Sequence, residues 1–297
     1  MSRILIVGGD MRNACLAKIL HSEGFDVCVC GINREIFEDS DICFCSSVKE
    51  GAADASLIIL PLPCSADNIT LATPLFDDCI YLSDIYENAL KSAIICGGKI
   101  NTTEFEKHSL YAVDYAQRDD FASLNAVPTA EGAIEAVMKY LPITVFSSNA
   151  VVTGFGKSGK VLALTLKAMG ANVTVCARSQ KDLALASAFG INALPLDKMH
   201  TALENADMVF NTVPHTIFKE RELSAIKHEC PIVDIASLPG GVDRNALENL
   251  GIRYLFLPGL PGKYSPVSAA RIIWRTIINI IGESGKDASL WNLREKG

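Results

Sequence analysis

The chain has 297 residues, which suits two domains better than one simple hydrophobic core. Its 49% hydrophobic and 21% charged residues are the balance of an ordinary α/β protein, not of a disordered or fibrous one. A net charge of −7 argues against general nucleic-acid binding, while leaving room for a local basic pocket that takes an anionic substrate. In chain order, Arg3–Val7, Asp26–Cys30, Leu57–Leu60, Ala93–Cys96 and Leu110–Val113 read as short buried strands, with helical runs such as Asn13–Ser22 between them. The second half repeats the alternation with Asn149–Thr153, Asn172–Cys176, Met208–Asn211, Pro231–Ile235 and Arg253–Phe256. Such alternation predicts parallel sheets with helices on both faces. The expected fold is α/β, two doubly wound parallel-sheet domains with a cleft between them, the second a Rossmann dinucleotide-binding domain.

Between the halves, Pro128–Leu141 reads as a helix begun by a proline turn and ended before Pro142. The expected domains are residues 1–127 together with 268–297, flavodoxin- or Rossmann-like, and residues 128–267, the NAD(P)-binding unit. A C-terminal helix of about Ser268–Ile281 is expected to return to the first domain, and the polar stretch Gly282–Gly297 reads as a short helix or a frayed tail. The first apolar run stops at Gly8-Gly9, too early for a signal peptide, and Ile272–Ile281 is interrupted by Arg275 and too short for a bilayer. A cytoplasmic protein with no membrane partner is therefore expected.

The densest signal lies in the middle. Gly154-Phe155-Gly156-Lys157-Ser158-Gly159 follows an apolar strand run and opens an amphipathic helix run, and a second strand begins soon after Gly170. In such a βαβ unit the first glycine permits the tight turn and the second lets the backbone approach a pyrophosphate. The third lets the helix pack on the strand, and the pyrophosphate rests on the helix N-terminus. A glycine-rich turn without a ligand is the plain alternative, and the complete βαβ context speaks against it. An NAD-selective site carries an acid about 20 residues past the glycines. Here that strand ends Cys176-Ala177-Arg178-Ser179, with no acid at its tip. Arg178 and Ser179 suit a 2′-phosphate, so NADP is expected, with NAD the alternative. A solvated surface arginine is the competing reading of Arg178.

Of ten cysteines, eight lie in the first hundred residues, and the close pairs are Cys28/Cys30 and Cys43/Cys45. Residues two apart on a strand share a face, but no Cys-x-x-Cys spacing and no suitably spaced histidine accompanies them. Small buried hydrophobes are expected there, and no metal. The strand ends carry turn-rich loops: Gly8-Gly9-Asp10-Met11-Arg12, Pro61-Leu62-Pro63, Asn211-Thr212-Val213-Pro214, Ser237–Gly241 and Pro258–Lys263. Ligands of open α/β sheets bind beyond the carboxyl ends of strands, so these loops are expected to line the site.

Together with Ile6–Arg12, Asn125–Gly132, Gly154–Gly159 with Ala177-Arg178-Ser179, Asp234–Gly241 and Leu257–Gly262, the chain resembles the dipicolinate synthase A-subunit family of endospore-forming bacteria over nearly its whole length. The resemblance implies an NAD(P)-dependent oxidoreductase that pairs with the flavoprotein-like B-subunit of dipicolinate synthase. The pair would make dipicolinate from the dihydrodipicolinate precursor of the lysine pathway, in the mother cell during sporulation. A homo-oligomer is also expected. Cofactor contacts are expected on Gly154, Phe155, Gly156, Lys157, Ser158, Gly159, Arg178, Ser179, Thr212, Val213, Pro214 and Ser237, and substrate contacts on Arg12, Asn125, Thr129 and Lys263, with a solvated surface charge the equal alternative for Arg12 and Lys263. Where the family carries a Pro-Lys-Thr-Ala-Gly run, this chain reads Pro266–Ala270, leaving Lys263 or Arg271 to supply a cation.

The implied substrate is a small dicarboxylate, so Arg, Lys or backbone N–H donors are required, and oxidation to an aromatic ring needs positioning above all. Asp10 is either a general base or the cap of the following helix; Glu131 is either a base or a first-turn partner of its helix dipole; Ser237 offers a hydroxyl. The enzyme alternative is a 2-hydroxyacid or alanine dehydrogenase. Hydroxyacid dehydrogenases of that plan use a late-chain histidine, and His21, His108, His200, His215 and His228 include none in the last loop. A non-catalytic NADP-binding module is the alternative from another class.

Overall fold

Each apolar run pairs in parallel with runs from its own half of the chain. The computed structural model describes residues 3–38 and 40–284. β1 (Arg3–Val7), β2 (Val27–Cys30), β3 (Cys43–Phe44), β4 (Ala55–Ile59), β5 (Ile94–Gly97) and β6 (Tyr111–Asp114) form one six-stranded sheet in the order β3-β2-β1-β4-β5-β6. β7 (Asn149–Thr153), β8 (Asn172–Ala177), β9 (Asn192–Pro195), β10 (Met208–Asn211), β11 (Ile232–Asp234) and β12 (Tyr254–Phe256) form the other, in the equivalent order β12-β11-β10-β7-β8-β9. Both are doubly wound, as expected. The two strands missed from sequence, β3 and β9, are short edges: one has two residues, and the other ends in Pro195, which has no N–H for a ladder.

The chain divides into two compact units, one from its start to Leu124 plus the helix that begins at Pro266, the other Asn125–Ser265. In the first unit alternate strand residues feed two apolar layers. Ile4 and Ile6 pack with the helices Met11–Ser22 and Pro266–Glu283, while Leu5 and Val7 pack with the opposite face. In the second unit Val152, Val175 and Phe210 face the helix Lys157–Ala168, and Val151, Val209 and Ile232 face the other layer.

Two sequence readings need correction. The helix expected to open at Pro128 instead runs Asp119–Met138 with Pro128 inside it. Pro128 removes one N–H, but Ala126, Ala130, Ala133, Ile134 and Val137 bury one stripe and carry the helix through. The Thr129 hydroxyl donates to the Asn125 carbonyl at 2.7 Å in the same turn. The C-terminal helix is also longer than expected, Pro266–Glu283. The tail expected from Gly282 is described only to Ser284; its remainder lies outside the described residues.

Candidate dinucleotide-binding site

The site is built on the turn that leaves β7. Gly154 has φ +87°, a conformation that side-chain-bearing residues rarely adopt, and a Cβ there would lie 2.4 Å from Thr212 Oγ1 and 3.1 Å from Val213 Cγ2. The loop after β10 therefore lies directly against the turn, tied by the Thr212 hydroxyl donating to the Thr153 carbonyl at 2.8 Å. A Cβ on Gly159 would fall 2.3 Å from the Gly154 carbonyl oxygen, so only glycine lets the helix Lys157–Ala168 start this close to the strand.

Gly156 is different. It caps the helix with ordinary backbone angles, is exposed, and a Cβ on it would meet nothing within 4 Å. No side chain caps this helix, and its first turn holds no acid. Open space in front of an uncapped helix N-terminus, with no carboxylate to repel an anion, fits a pyrophosphate. Lys157 is exposed and Ser158 half-buried beside it. Phe155 needs correction: its side chain is 1% exposed and belongs to the core, with Lys160 Nζ 5.7 Å from the ring centroid, so only its backbone stands at the turn.

At the next strand end, Arg178 is exposed immediately after β8 and makes no ion pair among the described residues. Ser179 caps the helix Gln180–Ala188, its hydroxyl accepting from the Asp182 N–H at 3.4 Å.

A feature that sequence reasoning passed over lies beneath these loops. The last residues of β7, β10 and β11 are in register, Thr153 beside Asn211 and Asn211 beside Asp234, and all three are fully buried. The Thr153 hydroxyl donates to Asn211 Oδ1 at 2.7 Å, and Asn211 Nδ2 donates to Asp234 Oδ1 at 2.9 Å. Asp234 also accepts from the N–H groups of Ala236 and Gly241 at 3.0 and 2.8 Å and from the Tyr254 hydroxyl at 2.9 Å. Asn211 meanwhile holds both the N–H and the carbonyl of Val213. Burial first, then the Asp234 charge, raises the Tyr254 hydroxyl well above its ordinary value. A buried carboxylate is tolerable because every contact is a donor, and the network fixes the loops carrying Thr212–Pro214 and Ser237–Gly241. The legible signal was a polar residue closing each apolar strand run.

Of the remaining expected residues in this unit, Thr212 and Val213 are half-buried, and Pro214, Ser237 and Lys263 are exposed. Asn125 and Thr129 lie one turn apart on the long helix. Glu131 is exposed, but in the middle of that helix, so it is not a first-turn dipole partner. His215 is exposed just beyond Pro214.

In the first unit, Asp10 is the N-cap of the helix Met11–Ser22, its Oδ1 accepting from the Arg12 N–H at 3.0 Å. Arg12 is 6% exposed; its guanidinium pairs with Asp10 at 2.8 Å and donates to the Leu62 carbonyl. Arg12 is thus committed to holding two loops together, which removes it as an anion clamp. Among the described residues no group of three His, Cys, Asp or Glu side chains is placed to hold a metal ion, and no helix is long and apolar enough to cross a membrane.

Topology and turn together define a two-unit α/β protein whose second unit is a shikimate-dehydrogenase-type Rossmann domain. Residues 137–256 match the family model for shikimate / quinate 5-dehydrogenase, and residues 3–116 match that for the N-terminal domain of the dipicolinate synthase A-subunit. Over 290 residues the chain is 28% identical to the dipicolinate synthase A-subunit of Bacillus subtilis (strain 168), covering 95% of this chain and 96% of that protein. The crystal structure of the Bacillus subtilis protein has a TM-score of 0.82 to this one over 95% of this chain and 96% of that one. That of the Bacillus halodurans A-subunit also scores 0.82, at 26% identity over 94% and 97%. Over nearly its whole length the chain is thus similar to dipicolinate synthase A-subunits, and its first unit matches that family's N-terminal domain. L-alanine dehydrogenase shares the fold alone, with a TM-score of 0.60 at 13% identity over 94% of this chain and 90% of that one.

Proposed function

We propose that this chain is the NADP-dependent component of a dipicolinate synthase, oxidising a dihydrodipicolinate precursor to dipicolinate in company with a flavoprotein-like B-subunit. The observation that carries the reading is the uncapped helix behind Gly156, open in front and free of first-turn acids, in a chain similar to these A-subunits. Gly154, Gly156, Lys157, Ser158 and Gly159 would hold the pyrophosphate. Arg178, with Ser179 beside it, would pair with a 2′-phosphate, since the strand tip offers no acid to a 2′-hydroxyl. The bound nicotinamide would supply the hydride acceptor.

The chain's own residues then position the substrate. Thr212, Val213, Pro214 and Ser237 stand in the loops that the Thr153–Asn211–Asp234 network holds still. Lys263 is an exposed cation for a substrate carboxylate, and Asn125 and Thr129 offer polar contacts one helical turn apart. Of the three acid/base candidates, Asp10 is engaged by Arg12 and its own helix, which leaves Glu131 and Ser237 as exposed groups.

The test is dipicolinate formation followed by ultraviolet absorbance, with freshly generated precursor and NADP, by the purified chain with and without the B-subunit. NADP-dependent turnover in either arm supports the reading. Absence of turnover in both arms, with NADP binding intact, overturns the synthase reading and leaves a nucleotide-binding module.

A further inference from the structure

The paired cysteines, which the dinucleotide site does not use, come together in the first unit. Parallel register sets Cys28 beside Cys43 and Val29 beside Phe44. The Cys45 N–H donates to the Val29 carbonyl at 3.1 Å, so Cys45 lies alongside Cys30. Alternation then puts the four thiols on one face at the sheet edge, while Val27, Val29 and Phe44 turn to the other. The thiols therefore form a row across β2 and β3, Cys43 next to Cys28 and Cys45 next to Cys30. Gly51 makes room for them, since a Cβ there would lie 2.6 Å from Cys45 Sγ.

Cys28 and Cys30 are 2% and 5% exposed, Cys45 is half-buried and Cys43 exposed; of the four, Cys30 and Cys45 form part of the wall of a cavity of about 470 Å³. The hydrogen bond from Cys45 holds the Cys30 thiol below its ordinary value against the opposing effect of burial. A sulfur that lines a cavity beside a second thiol on the neighbouring strand has what two-electron thiol oxidation requires.

We propose that Cys30 and Cys45 are a redox-active dithiol that closes reversibly to a disulfide under an oxidant of the hydroperoxide class. The Cys30 sulfur attacks one peroxide oxygen and the O–O bond breaks. With hydrogen peroxide this leaves Cys30 as a sulfenic acid and releases one water. The Cys45 sulfur then displaces the hydroxyl from Cys30, which departs as a second water with the Cys45 proton. Two thiols and one hydrogen peroxide thus give one disulfide and two waters, and a small dithiol restores the thiols by exchange. The bridge fixes the short edge strand β3 to β2 and takes two thiols out of the cavity wall. None of this depends on the dinucleotide reading.

The test treats the reduced full-length protein with stoichiometric hydrogen peroxide, caps remaining thiols with N-ethylmaleimide and maps tryptic peptides by mass spectrometry. Cleavage after Lys18, Arg34 and Lys49 puts Cys28 with Cys30 on one peptide and Cys43 with Cys45 on the next. The expected product is a linked pair whose fragmentation places the bridge at Cys30 and Cys45, and which dithiothreitol removes completely. Cys45→Ala, at a half-buried edge position, abolishes it; Cys79→Ala, in the same cavity wall but outside the thiol row, leaves it unchanged. The wild-type map alone decides the matter if a variant folds poorly. Separate oxidation of each cysteine without a link, a bridge confined to Cys28 and Cys43, or an equal yield from urea-unfolded chain would overturn the proposal.

Discussion

In the first unit the turn after β1 is closed from within. A Cβ on Gly9 would lie 2.4 Å from the Asn13 side chain, and the Asp10 carboxylate both caps the following helix and pairs with buried Arg12. In the second unit the equivalent turn after β7 has glycine at the cap, no capping side chain, and nothing within 4 Å of where a Cβ would stand. Strand order is the same in the two sheets, yet one helix N-terminus meets its own carboxylate and the other is left for an anion from outside. The comparison teaches that a repeated fold does not repeat a site. Whether the residue at the helix cap carries a side chain decides which turn has room for an anion.

The strongest way to break the comparison is at Gly159. Gly159→Val drives a side chain into the Gly154 backbone, which cannot yield as a flexible side chain would. A loss of about 3 kcal/mol in unfolding free energy is expected, with dinucleotide binding lost alongside, as denaturant titration would show. A smaller effect, confined to the other turn, is expected from Asp10→Asn. It removes the charge facing a guanidinium that is only 7% exposed, but Asp10 itself is 34% exposed and solvent screens part of the pair. A loss of about 2 kcal/mol with unchanged NADP affinity would sharpen the contrast between the turns. Arg178→Ala should weaken NADP binding about tenfold and leave NAD binding alone, read from the two dissociation constants by calorimetry, since one charge-assisted contact is removed.

The smallest effect concerns acid. Hydrogen bonds from Arg118, together with those from Asn279 and the Phe121 N–H, hold the Asp120 carboxyl well below its usual range. A depressed folded value means stability that is present above the unfolded value of about 3.9 and is lost as pH falls through the lower folded value. Acid unfolding curves should therefore show wild type losing, below about pH 4, a contribution that Asp120→Asn has already lost at neutral pH. The loss belongs to the first unit, because Arg118 also bridges Asp120 to Glu283 at the end of the C-terminal helix.

How much of this was legible in sequence follows from what each feature depends on. Gly154, Gly156 and Gly159 were readable because a turn and the helix it opens are local and glycine has few substitutes there. The strands were readable because buried parallel strands are continuous apolar runs, and β7 and β10 match their expected limits. Pro128 misled because proline marks a helix start by local rules, whereas distant burial of Ala133 and Val137 decided the matter. Arg12 was read as a clamp because its partner Leu62 lies fifty residues away. Phe155 was read as a contact because position in a motif does not reveal which way a side chain turns. The Asp234 network escaped because three strand ends had to be brought into register before their polar residues met.

The most direct test of the central claim is a binding titration of NADPH, by its fluorescence, to wild type and to Gly156→Val. Because a Cβ there meets open space at ordinary backbone angles, the stability lost should be no more than about 1 kcal/mol, the cost of valine in place of glycine at a helix cap. Affinity should fall about a hundredfold, roughly 2.7 kcal/mol, as the side chain occupies the place of the pyrophosphate. Equal NADPH affinity in the two proteins, at equal stability, would contradict the account.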